Sequence, residues 1–153
     1  MGEYIATVSW TRQSHEIFTD NRYSRAHQWE FDGGITVPAS ASPHVVKVPL
    51  SNPAAVDPEE AFVASLSSCH MLFFLAFAAA KRFLLDSYVD HAVGYLEKID
   101  GGRQAMTRVV LRPAVQWSGT PPTPDELRAL HDRAHHECYI ANSVKTEVLI
   151  EPC

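Results

Sequence analysis

The sequence predicts an α+β fold in a single domain, residues 1–153, and three observations carry that prediction. Two tight-turn signals, Asp32-Gly33-Gly34 and Asp100-Gly101-Gly102, each separate two runs of β-forming residues and so write two hairpins into the chain. Two segments, Asp57-Pro58-Glu59-Glu60 and Thr123-Pro124-Asp125-Glu126, combine an N-capping residue, a proline at the first helical position and an acidic first turn. Strands joined by tight turns therefore alternate with helices, unlike a parallel βαβ series. With 46% hydrophobic and 20% charged residues, the 153 residues suffice for one core.

Each element has its own warrant. Residues 4–11 are rich in β-branched and aromatic side chains and read as a strand. Residues 25–31 alternate and lead through the first Gly-Gly turn into residues 35–39, a hairpin. Residues 38–58 hold Pro43, Pro49, Asn52-Pro53 and Asp57-Pro58, so a long loop is expected, with only residues 45–48 suited to extended structure. The first helix is expected from 58 to about 82, where Lys81-Arg82 suits a helix end. Residues 88–99 and 106–117 read as two long strands, a second helix follows from Thr123 to about Cys138, and residues 145–150 make a last strand. The order is βββ-α-ββ-α-β.

Composition excludes some partners. A formal charge of −5 leaves no basic stripe to follow a phosphate backbone or an anionic bilayer, so neither nucleic acid nor a membrane surface is expected. The N-terminal residues lack a basic then apolar leader pattern, and three cysteines are few and odd in number, which fits a reduced, cytoplasmic protein. Residues 61–80 carry no charge and are long enough to span a bilayer. Ser65, Ser67, Ser68, Cys69 and His70 form a polar knot at their middle, where lipid is least forgiving, so the expected setting is a helix buried on nearly all faces and shared across a dimer interface.

Cysteine is the sharpest chemical signal. Free cysteine is among the most buried residue types, so the residues alone leave Cys69 and Cys138 open between core and reactive thiol, and Cys153 is expected to be a frayed terminal thiol. The serines around Cys69 suggest a wet or reactive pocket. His131, His135 and Cys138 follow i, i+4, i+7 spacing that zinc uses, and Cys69-His70 is available to complete a tetrahedral set. No Cys-x-x-Cys pair accompanies it and eight histidines make such spacing common by chance, so a metal is not expected. Spacing does not say whether the sulfurs of Cys69 and Cys138 meet.

Two segments carry a resemblance. Pro58-Glu59-Glu60-Ala61-Phe62 followed by Ala64-Ser65-Leu66-Ser67-Ser68-Cys69-His70 resembles the Pro-Glu segment and first cysteine of the OsmC/Ohr family, the osmotically inducible and organic hydroperoxide resistance proteins. Ala134-His135-His136-Glu137-Cys138-Tyr139-Ile140-Ala141-Asn142-Ser143 resembles the segment that holds the family's second cysteine. The resemblance covers essentially the whole chain. It implies a thiol peroxidase of organic hydroperoxides, an intertwined homodimer with centrally buried long helices, and no cofactor beyond an external dithiol reductant, a lipoyl protein, thioredoxin or a small thiol. It implies Cys69 as the peroxidatic cysteine, Cys138 as the resolving cysteine, and Glu59 as the acid that pairs with a catalytic arginine. Arg22 and Arg25 both fall in the expected region, and Arg25, in Tyr23-Ser24-Arg25-Ala26-His27, is preferred.

Those residue types suit the chemistry. A thiolate must attack one peroxide oxygen, so the ordinary cysteine pKa of about 8.5 must fall, while burial pushes it the other way. Cys69 lies beyond the first turn of its helix, out of reach of the dipole, so a guanidinium is the suitable source of the shift. Glu59 is about ten residues and roughly 15 Å along the axis from Cys69, so it would orient the arginine without touching sulfur, although a first-turn glutamate also serves the helix dipole, a role Glu60 fits equally. A sulfenic acid at Cys69 then needs a thiol before further peroxide over-oxidises it. Phe62, Met71, Phe73, Phe74 and Phe77 offer an apolar entrance or simply core. The competing class is a non-catalytic dimer that holds a small molecule or a metal at Cys69.

Overall fold

Three short strands, β1 (Ala6–Ser9), β2 (His27–Phe31) and β3 (Thr36–Ala39), pair antiparallel in chain order, with Thr7 opposite Glu30 and Trp29 opposite Val37. The structure, a computed structural model, describes residues 1–153 as two compact units, Met1–Ala61 and Phe62–Cys153. The β2–β3 turn closes where the Phe31 N–H donates to Ile35 O and Gly34 adopts φ 84°, a conformation that glycine takes without a Cβ penalty. Beyond β3 the loop folds back, its Ser40 N–H donating to Val56 O and its Val56 N–H to Pro38 O. Residues 45–48, the one part of this loop suited to extended structure, form a turn instead. The N–H groups of Val45 and Val46 both donate to Ser42 O, and Pro43 and Pro49 on either side remove donors that a strand would need.

The N-terminal unit has no hydrophobic core. Its buried residues are Ala39, Ser40, Ser42, Ser51 and Asp57, while Tyr4, Val8 and Ile35 are 96%, 65% and 65% exposed.

Helix α1 (Pro58–Ala80) starts as the sequence indicates. Asp57 Oδ1 accepts the Glu60 N–H at 2.8 Å and Glu60 Oε2 accepts the Asp57 N–H at 3.2 Å, a reciprocal cap. It ends two residues before the expected position, in a Schellman turn. The Phe83 N–H donates to Ala78 O and the Arg82 N–H to Ala79 O, with Arg82 in the left-handed region at φ 61°.

In the C-terminal unit the two expected long strands each break once, giving β4 (Leu84–Asp90), β5 (Val93–Lys98), β6 (Gln104–Leu111) and β7 (Pro113–Ser118). The hairpin bends in its middle, so β4 pairs with β7 in one sheet while β5 and β6 pair in another. The bend has a chemical cause. Pro113 cannot donate to a ladder, and the preceding Arg112 N–H turns to Asp90 Oδ1 at 2.6 Å, whose other oxygen accepts the Ser67 hydroxyl of α1 at 2.5 Å. Helix α2 (Pro124–Glu137) opens on a Thr123–Glu126 capping box and returns the chain to β8 (Glu147–Ile150), which lies parallel to β6. The α+β order of the sequence holds, with eight strands where six were expected. Two core clusters result: Phe74 and Ala78 of α1 against Leu130 and Ala134 of α2, and Leu66 of α1 against Val109 and Leu111 of β6.

Candidate active site

The fold brings Cys69 and Cys138 together. Cys69 is half-buried on α1, Cys138 is 1% exposed as the C-cap of α2, and the Cys69 thiol is close enough to act on that of Cys138. Both are free thiols. Burial, followed by the neighbouring Cys69 thiol, pushes the Cys138 thiol up to about 11. Backbone partly offsets this, because the chain turns sharply after α2 into the 3-10 turn Ala141–Ser143 and aims the Ala141 N–H at Cys138 Sγ, 3.4 Å away. Two equal thiols thus become unequal: an accessible one, and an enclosed one held as S–H. Cys153 is exposed at the terminus, its Sγ near Arg112 O.

Beside Cys69 lies a pair of histidines that sequence reasoning had not joined. His70 Nε2 and His131 Nδ1 are 3.0 Å apart, with parallel rings 5.3 Å between centroids, and Phe74 stacks on His131 at 4.3 Å. Both side chains are buried, and the outer nitrogens, His70 Nδ1 and His131 Nε2, are buried without a partner. Burial lowers both pKa values to about 4. Both histidines stood out in the sequence, His70 as a polar residue in an apolar helix and His131 in the zinc-like spacing. Only the packing of α2 on α1 joins them. No group of three or more His, Cys, Asp or Glu side chains is arranged to hold a metal ion.

The serines divide. Ser67 bonds Asp90 and so fixes α1 to the hairpin corner, Ser65 turns its hydroxyl back to Phe62 O, and Ser68 is exposed. Of the aromatic residues considered for an entrance, Phe74 is core, Phe62 packs in the other cluster, and Phe73 meets Tyr139 edge-on at 5.0 Å.

Arg25 and Glu59 lie in the N-terminal unit. The Arg25 guanidinium donates to Asn21 O, Asn21 Oδ1 and Tyr23 O and stacks 3.8 Å over the Tyr23 ring. Its partners are neutral, so its charge is not spent on a carboxylate. Glu59 is half-buried and forms no ion pair, whereas Glu60 is taken by the cap of α1. Arg22 is exposed beside a cavity of about 400 Å³ lined also by Glu16, Asp20 and Leu50.

A family model described as OsmC-like protein matches residues 51–152, which hold both segments and both cysteines. The chain belongs to the OsmC/Ohr family. No curated protein matches it significantly. This OsmC-family chain is similar to an OsmC-like protein of unknown function from Vibrio cholerae, with 60% identity over 100% of both chains and a TM-score of 0.97. An organic hydroperoxide resistance protein OsmC from Legionella pneumophila shares the fold at 18% identity and a TM-score of 0.71, covering 99% of this chain and 96% of that one. So does the organic hydroperoxide resistance protein OhrB of Bacillus subtilis, at 17% identity and a TM-score of 0.68, over 97% and 98%.

Proposed function

We propose that this OsmC-family protein is a cysteine-based thiol peroxidase that reduces organic hydroperoxides, with Cys69 attacking and Cys138 resolving. The observation that carries the reading is the thiol pair, a half-buried free sulfur with a buried one beside it. Membership of a family that includes hydroperoxide resistance proteins supports the substrate class.

The Cys69 thiolate attacks one peroxide oxygen; an S–O bond forms, the O–O bond breaks, and the alkoxide leaves to be protonated as alcohol. Cys69, oxidised by two electrons, is now a sulfenic acid. Cys138 attacks that sulfur, the S–S bond forms, and water departs with the Cys138 proton. An external dithiol of the lipoyl or thioredoxin kind reduces the disulfide by exchange and is itself oxidised. No bound cofactor takes part. Arg25 is the cation that favours thiolate, and Glu59 its acidic orienter; both carry unspent charge, which suits these roles. Three free thiols suit a reducing cytoplasm.

The working unit in this proposal is a homodimer. One face of α1, Ser65, Ser68, Leu72, Ala76 and Ala79, is uncovered in the single chain, and the N-terminal strands have no core beneath them.

Counting thiols before and after one equivalent of cumene hydroperoxide tests the reading. Two should be lost per chain in the wild type. Cys69→Ser should lose peroxidase activity, and Cys138→Ser should complete about one turnover and then over-oxidise. Full activity in both variants returns the cysteines to the core, and no thiol loss in the wild type indicates a binding protein.

A further inference from the structure

α2 meets α1 through the Arg133 guanidinium, 4.0 Å over the Phe77 ring, and through two pairs that bear on the thiols: the His70–His131 hydrogen bond and the neighbouring Cys69 and Cys138 side chains. On α1 these involve successive residues. Toward α2 they lie seven residues apart, about 10 Å along the axis at about 1.5 Å per residue. Beside the histidine pair, Phe74 and Ala78 of α1 pack against Leu130 and Ala134 of α2. Apolar contact is non-directional: it resists separation but gives little resistance to a swivel of one helix on the other. A swivel of about 10° about the histidine end would carry Cys138 about 2 Å, more than disulfide geometry tolerates.

We propose that His70 and His131 are positioning residues, whose directional hydrogen bond fixes the angle of α2 on α1 and thereby holds Cys138 in bonding register with Cys69. The bond needs one nitrogen as donor and the other as acceptor. Among titratable groups, His135 of α2 and Asp90 at the end of β4 act on His70, and Tyr88 of β4 packs on Phe74; Asp90 is already committed to Arg112 N and Ser67. Phe74 stacks on His131, and the two imidazole rings stack on each other.

The inference rests on the peroxidase reading in needing the Cys69–Cys138 disulfide to form. It is tested by equilibrating the full chain in graded dithiothreitol buffers and reading the disulfide by alkylation mass shift. His131→Ala should shift the dithiol–disulfide equilibrium about tenfold toward dithiol, about 30 mV for this two-electron couple. His131→Asn, whose amide places a donor or acceptor where Nδ1 stands, should restore most of it. Leu130→Ala, which loosens the same helix through apolar contact alone, should lower the melting temperature and leave the midpoint unchanged. Should His131→Ala not fold, His131→Phe fills the same space without nitrogens. The inference is overturned if His131→Ala moves the midpoint no further than Leu130→Ala, or if asparagine gives no recovery. A wild-type protein that forms no Cys69–Cys138 disulfide overturns this inference and the peroxidase reading together.

Discussion

Cys69 and Cys138 carry the same group in unequal surroundings: the enclosed sulfur is kept protonated while the half-buried one meets solvent. In the proposed peroxidase a cation favours attack by the accessible sulfur, and the choice of arginine can be checked. Arg25→Ala should slow alkylation of Cys69 by iodoacetamide severalfold near neutral pH, with recovery in alkali where thiolate forms unaided, and Arg22→Ala should change little. The reverse result would exchange their roles. The buried histidines also set an acid limit. Their folded pKa values, about 4, lie below the ordinary 6.5, so the stability that they contribute is complete above pH 6.5 and is lost as pH falls toward 4. Urea midpoints should be flat from pH 7 to 8 and fall steeply below pH 6, and His131→Asn should flatten that acid limb. The cysteines, Glu59 and the arginines were visible in the sequence as residue types in motifs. The histidine bond was not, because it joins residues 61 positions apart on different helices and no local pattern encodes it.

At the scale of elements, helix starts were the most legible feature, since Asp57 with Glu60 and Thr123 with Glu126 are local reciprocal caps. The hairpin corner was not legible. Asp90 reads as one more polar residue in an alternating strand until the fold brings Ser67 to one of its oxygens and Arg112 N–H to the other. Helix α1 ends without the usual glycine, with Arg82 in the left-handed region, which costs a residue with a Cβ about 1 kcal/mol. Arg82→Gly should therefore raise unfolding free energy by about 1 kcal/mol, read by chemical denaturation, and a loss of stability would show that the Arg82 side chain does more than end a helix. Gly94 of β5 has the opposite constraint. A Cβ there would run into Met106 and Val63, so Gly94→Ala should cost about 1–3 kcal/mol in the same measurement.

At the scale of the molecule, an all-round apolar helix led the sequence reading to a dimer, and in the single chain α1 buries only one face, with Leu72 60% exposed on another. Equilibrium sedimentation at low micromolar concentration should give about twice the 17.0 kDa chain, about 34 kDa, and the unfolding midpoint should rise with protein concentration. A stable, active 17.0 kDa monomer would remove the dimer. The coreless N-terminal unit also bears on how the protein is made. Synthesis runs from the N-terminus, so residues 1–61 are made before residues 62–153, and apart from the packed rings of Trp10, Phe18 and Tyr23 they bury few apolar side chains. Tyr4, Ile5 and Val8, exposed even in the folded chain, are then an unprotected β-rich segment. For that interval the nascent polypeptide is a natural client for a holding chaperone, and a nonsense product ending near residue 61 should accumulate only as aggregate.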